Sequence, residues 1–304
     1  MFEVLAMYAF YSLDFTFGKA ALFVAQPIFL IGTRMTLAGI ILLTYVYFFK
    51  RSDFRFNIKN WFLFIQAIVL SIYFGYIFDF WGMQHMTSSK NALIFTLSPF
   101  ITACIAYAMG LETLSRNKLI GLIIGFSGAL TILIDNKVQE AHYVEHGWFV
   151  LPELACLFAV ASIAYGWIIF GRLHKEHKYS TLMINGICMF FGGLLALGSS
   201  PFFETWNPVP VSAFKPFAMY TIFLIVVGNI IVYNWYIALL RKHSMTFVSF
   251  VSFTIPLYTS FYSWLWLGEI VTWQFFVALI ITACGLYIFY RDESPDPALK
   301  DILP

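Results

Sequence analysis

Three hundred and four residues would ordinarily make one large soluble domain or two small ones, but here 61% are hydrophobic, 20% aromatic and only 11% charged, with mean hydropathy +0.80. A soluble domain carries about 25% charged residues, so the composition excludes a globule covered by water and requires hydrocarbon as part of the solvent. A net charge of +2 excludes the strongly basic surface that a nucleic-acid partner selects.

A helix crossing the bilayer core takes about 20 mostly apolar residues. Ten such runs follow one another, at 2–23, 27–49, 60–83, 89–111, 118–134, 147–170, 180–202, 216–240, 245–268 and 272–290. The first has neither a basic leader nor an A-x-A-like cleavage site, so it is expected to be retained; it carries Tyr11, Asp14 and Phe15. The second opens at Pro27 and holds Arg34, the third holds Tyr76 and Asp79, and the fourth holds Lys90, Asn91, Phe95 and Pro99. The sixth begins beside Glu153, the eighth carries Asn229, Tyr233 and Tyr236, and the ninth carries Pro256. Cys104, Cys156, Cys188 and Cys284 all lie within apolar runs as small hydrophobes, so neither a disulfide framework nor a metal site is expected, and no cofactor is implied. The expectation is an all-α polytopic membrane protein in contact with the lipid bilayer.

Loop Lys and Arg set orientation. Thirteen of the eighteen gather on one side, from Lys50 and Arg51 through Arg172 and Lys242 to Lys300; Lys19, Lys90, Lys137 and Lys215 lie on the other, and Arg34 lies within a span. That distribution predicts cytoplasmic termini in a bacterial inner membrane.

Sliding the chain against itself by 157 residues aligns Tyr76 with Tyr233, Pro99 with Pro256, Thr102 with Thr259, Glu112 with Glu269 and Gly128 with Gly285. Chance overlap of apolar runs explains matched Leu and Ile, but not recurrent Pro, Glu and Gly. The spacing predicts two five-helix units, 1–138 and 146–292, followed by a tail at 293–304. An odd number of spans per unit inverts the second, a build typical of secondary transporters with the site between the repeats.

The stretch Ser89 to Leu133, with "SPF" around Pro99, "GLET" at Gly110 to Thr113 and "GLIIGFSGALTIL" at Gly121 to Leu133, resembles an EamA-type domain. "TIPLYTSFYSWLWLGEIVT" at Thr254 to Thr272 resembles its second copy, and Pro27 with Arg34 is similar to the family's second helix. The resemblance, to the drug/metabolite transporter superfamily, covers essentially the whole chain. It implies two inverted repeats around a cavity lined by the first, third, fourth, sixth, eighth and ninth helices. Asp14 in the first helix departs from the general family pattern.

A charge at the bilayer centre costs on the order of 2.5–3.5 kcal/mol, so Asp14, Asp79 and Glu153 each mark a cavity or an ion pair. The pairing alternative uses Arg34, Lys19 or Lys90, at similar depth. Asp14 and Asp79 are read as unpaired cavity acids; Glu153, Arg34 and Lys90 are read as coupling or ion-pair groups. Tyr11, Tyr76, Asn91, Phe95, Asn229, Tyr233 and Tyr236 complete the predicted substrate site, with Pro99 and Pro256 as hinges. Two carboxylates among aromatic rings suit a small substrate that is cationic or zwitterionic. Amino-acid-like metabolites fit, as does a sulfonium such as S-adenosylmethionine, which members of the resembled superfamily carry. The alternative is an intramembrane serine protease using Gly125-Phe126-Ser127-Gly128, which would need a His base beside Ser127; all six histidines lie in loops or at span ends. No Gly-rich, Lys-containing nucleotide motif is present, so no ATPase activity or ATPase subunit is implied.

The orientation is open to direct measurement. In a variant lacking the native cysteines, Asp53→Cys should be shielded from an impermeant thiol reagent in intact cells, and Glu140→Cys should be labelled. The reverse pattern would overturn the orientation.

Overall fold

The computed structural model describes residues 1–85, 88–111, 115–135, 151–240, 242–243, 245–267 and 273–291. Among the described residues the regular structure is helical, apart from the isolated bridge Ala25–Val211 joining two connections. In chain order the helices are α1 Phe2–Leu22, α2 Pro27–Phe49, α3 Ile58–Gln84, α4 Ser88–Phe95, α5 Ser98–Ala108 and α6 Arg116–Asp135, then α7 Leu151–Lys175, α8 Thr181–Phe203, α9 Phe214–Leu239, α10 Met245–Phe250, α11 Ile255–Leu267 and α12 Trp273–Arg291. Among the described residues α2, α3, α7, α8 and α9 are long and apolar enough to cross a membrane.

Two long helices are not uniformly wound. α3 passes through a π-helical segment at Ala67–Gly75, and α9 through another at Leu224–Val232. The segments have the same length, lie 157 positions apart, and each ends just before a tyrosine, Tyr76 or Tyr233. π turns are rare and concentrate at functional sites. Regular α-helical spacing, which would put Ile72, Gly75, Tyr76 and Asp79 on one face, therefore does not hold across Ala67–Gly75, yet all four residues are buried.

The run expected as one helix at 89–111 is broken. Helix α4 ends at Phe95 and α5 starts at Ser98, so Pro99 sits in a first turn, where its missing N–H costs nothing. A 3-10 turn at Val251–Thr254 separates α10 from α11, and Pro256 is likewise the second residue of α11. The prolines thus start helices instead of kinking them.

The most extensive helix pairs are α2 with α8 and α6 with α12. Glycines permit both. A Cβ on Gly39 would collide with the Phe190 backbone, and one on Gly193 with the Thr36 backbone. A Cβ on Gly285 would lie 2.7 Å from the Gly125 amide nitrogen. Where apolar side chains gain nothing by leaving lipid, such close backbone approach is a main source of helix association. The start of α2 is also pinned from α8: the Glu204 carboxylate accepts the Ile28 and Phe29 amides at 2.6 and 2.8 Å and the Ser200 hydroxyl at 2.6 Å. An anion on the open N–H groups of a helix start is favoured by hydrogen bonding and by the helix dipole.

Gly39→Val should overpack this seam at a cost of about 1–3 kcal/mol, lowering the thermal midpoint of the detergent-solubilised protein. Leu37→Val, at an exposed neighbouring position, should leave the midpoint unchanged.

Candidate functional site

Arg34 is fully buried about two turns into α2. Its Nη2 donates to Asp14 Oδ2 on α1 at 2.6 Å, and its Nε donates to Asn229 Oδ1 at 2.6 Å, within the π segment of α9. The guanidinium lies over the Phe80 ring of α3, with Cζ 5.8 Å from the centroid. Gly228 is the required neighbour, since a Cβ there would collide with both Asp14 and Arg34. Asn229 in turn points its amide nitrogen at Met35 Sδ, 3.0 Å away. Asp14 is therefore not the unpaired acid expected above: a guanidinium at the same depth meets it, because two opposite charges buried together cost far less than either alone.

Asp79 differs. Its carboxylate is buried on α3 and accepts the Asn91 amide of α4 at 2.8 Å. Its backbone carbonyl faces the Cys156 thiol of α7 at 3.8 Å. Asp79 lies within electrostatic reach of Arg34 and Asp14 but makes no ion pair with either among the described residues.

Beside these charges the aromatic side chains form a continuous wall. The Tyr76 and Tyr233 rings meet at 5.8 Å, Tyr233 meets Trp167 at 5.1 Å, and Trp167 lies against Tyr236 at 4.2 Å, tilted by 32°. Tyr8 stands edge-on to Tyr236 at 6.4 Å and to Tyr11 at 6.0 Å, and Phe15 meets Phe95 at 5.2 Å. The small cavity they enclose is lined by Tyr8, Tyr11, Phe95, Ser98, Trp167, Tyr236 and Ser252, together with Val160, Ile163, Val232 and Ile255.

Of the residues singled out from sequence, the structure brings Asp14, Arg34 and Asn229 into one network and Asp79 and Asn91 into another. Tyr11, Tyr76, Phe95, Tyr233 and Tyr236 stand around the same centre. Glu153 stands apart, half-buried in the first turn of α7, and Arg34 does not reach it. The Lys19 ammonium donates to the Met83 carbonyl at 2.7 Å, at the end of α3. The side chain of Lys90 lies outside the described residues, as do Glu112 and Glu269. Sequence reasoning missed Tyr8 and Trp167. Tyr8 was signalled by its place one turn before Tyr11, and Trp167 by its place on a helix that the resemblance puts around the cavity.

Ser127 belongs to none of this. Its exposed hydroxyl donates to the Ile124 carbonyl at 2.7 Å, and Gly125 packs against the Phe250 and Phe253 rings. Among the described histidines, His85 lies tilted against Trp81, His174 binds the Tyr179 carbonyl and His243 lies tilted against Phe247. The protease reading has no support.

The model of the EamA-like transporter family matches residues 1–134 and 151–291. An S-adenosylmethionine/S-adenosylhomocysteine transporter of Chlamydia muridarum is 33% identical over 285 residues, covering 93% of this chain and 89% of that protein. The protein of the same name from Chlamydia trachomatis serovar L2 is 32% identical, covering 93% and 86%. A solved crystal structure with 15% sequence identity superposes with a TM-score of 0.72 over 96% of this chain and 97% of that one, a likeness of fold alone.

Arg34→Met would leave the Asp14 carboxylate alone in the interior and should cost about 3–5 kcal/mol in stability. Adding Asp14→Leu should recover most of that loss in thermal unfolding followed by size-exclusion chromatography. A double variant as unstable as the single would mean that the pair is not the interaction at stake.

Proposed function

We propose that this chain, which belongs to the EamA-like transporter family, carries an adenosyl sulfonium and its neutral thioether, S-adenosylmethionine and S-adenosylhomocysteine, by alternating access across a bacterial inner membrane. The protein is a multi-pass membrane transporter.

The observation that carries the cargo is the cage of Tyr8, Tyr11, Trp167, Tyr233 and Tyr236 beside the Asp79 carboxylate. Aromatic faces attract a cation by about 0.5–2 kcal/mol and offer a flat surface to a purine. Asp79 adds a negative charge that no lysine or arginine among the described residues neutralises by direct contact. The names of the two chlamydial relatives, which match over nearly the whole chain, support the same cargo.

Alternating access follows from two inverted five-helix repeats, 1–138 and 146–292, with both termini and the 293–304 tail in the cytoplasm. Several features support this arrangement. The π segments recur at the repeat offset, both half-broken helices restart with a proline, and α2–α8 and α6–α12 each join positions that the offset relates. Pro99 and Pro256 then act as hinges: the breaks before them let α5 and α11 tilt without losing helical hydrogen bonds. The cavity of about 20 Å³ has room for roughly one water molecule, so an adenosyl group enters by parting the aromatic wall.

The test is counterflow. Proteoliposomes loaded with S-adenosylhomocysteine should accumulate radiolabelled S-adenosylmethionine. Asp79→Asn and Trp167→Ala should each weaken apparent affinity at least about tenfold, equivalent to ~1.4 kcal/mol. Accumulation of an anionic metabolite instead, with no uptake of the sulfonium, would overturn the reading.

A further inference from the structure

Four buried polar atoms at the centre of the molecule have no hydrogen-bond partner among the described residues, namely Asp14 Oδ1, Arg34 Nη1, Asn91 Oδ1 and the Tyr233 hydroxyl, and the Tyr76 hydroxyl beside them has only the Tyr11 side chain near it. Leaving such atoms unpaired is costly, and for charged groups more so, which makes a cluster of them a functional signal. They share one region. Arg34 and Asp14 are in direct contact, Tyr76 lies within electrostatic reach of both and of Asp79, and Asn91 is bonded to Asp79. Tyr11, one turn before Asp14 on α1, lines the cavity and lies within electrostatic reach of Asp14, Asp79 and Tyr76.

We infer that Arg34 Nη1 and Asp14 Oδ1 receive the α-carboxylate and the α-ammonium of an amino-acid head group, while the rest of the substrate lies in the aromatic cage. The chemistry of the stranded atoms selects this group. Arg34 Nη1 is a cationic donor and requires an anion; Asp14 Oδ1 is an anionic acceptor and requires a cation. A purely cationic ligand would leave the first unpaired, and a purely anionic ligand the second. A zwitterion satisfies both while adding no net charge to the neutral Arg34–Asp14 pair, which matters where unbalanced charge is expensive. The Tyr76 and Tyr233 hydroxyls can donate to the second carboxylate oxygen, and Asn91 Oδ1 can accept from the ammonium. Gly228, with no Cβ, allows this pair to sit against the α9 backbone. The inference rests on the cargo reading only for the identity of the ligand, since both proposed cargoes carry this head group.

The experiment measures inhibition of radiolabelled S-adenosylmethionine uptake into proteoliposomes holding the full chain. S-adenosylhomocysteine should inhibit at least about tenfold more strongly than 5′-methylthioadenosine, which keeps the thioether and adenosine but lacks the head group. Decarboxylated S-adenosylmethionine should fall behind S-adenosylmethionine by a similar factor. Arg34→Gln combined with Asp14→Asn keeps a hydrogen-bonding pair without its charges and should bring these compounds within about threefold of one another. Equal inhibition by S-adenosylhomocysteine and 5′-methylthioadenosine in the unmodified protein overturns the inference, whatever the variant does. If neither adenosyl cargo is taken up, the cargo reading is what has failed. The head-group site is then read by the thermal shift of the same protein with L-tyrosine against tyramine. A shift with the amino acid alone supports the site; equal shifts, or none, overturn it.

Discussion

A guanidinium buried out of reach of water organises this molecule. Arg34 can remain charged in the interior only if its partners arrive from other helices, and they come from α1 and α9 as Asp14 and Asn229. Its place along α2 is fixed in turn by the clamp at that helix's first turn, where Glu204 holds the Ile28 and Phe29 amides. The first turn of α2 is thus tied to the end of α8 and its third turn to α1 and α9. Helices that bury apolar side chains against lipid or against each other with little difference in free energy need such directional contacts to choose a register. The neutral pair supplies it, and Gly228 removes the one side chain that would block it.

The sequence carried the outline of this arrangement and left its couplings out. Asp14 and Arg34 were legible as intramembrane charges at similar depth, because apolar runs are long and charges in them rare. That they meet was not legible, since spacing along two helices says nothing of how those helices rotate about their axes. Asp14 was accordingly read, with Asp79, as an unpaired cavity acid, whereas its Oδ2 is held by Arg34 and Asp79 is the acid that no arginine or lysine among the described residues contacts. Tyr76 and Tyr233 were found by their common offset, and their rings do meet. The π winding before each was invisible, because Ala67–Gly75 and Leu224–Val232 have the composition of any buried apolar helix. Trp167 was passed over for a related reason: an aromatic on an apolar helix carries no mark of the face it occupies.

The two halves share a backbone device but not a chemistry. At the 157-residue offset Asp79 corresponds to Tyr236, Asp14 to Gly171, Arg34 to Phe191 and Asn91 to Val248. Every buried charge of the centre comes from the first half, while Trp167 and Tyr236 come from the second and Tyr76 and Tyr233 face each other across the middle. The π segments and the helix starts at Pro99 and Pro256 recur in both halves at the same offset. On the proposed cargo reading, unequal side chains give the substrate one orientation, its amino-acid end toward the buried charges of the first half. The proposed alternating mechanism tolerates that inequality between like-folded halves, because rocking would depend on backbone geometry and recognition on side chains. An asymmetric substrate requires it, since a site symmetric about the middle would offer a charged head and a flat ring two equivalent and competing poses.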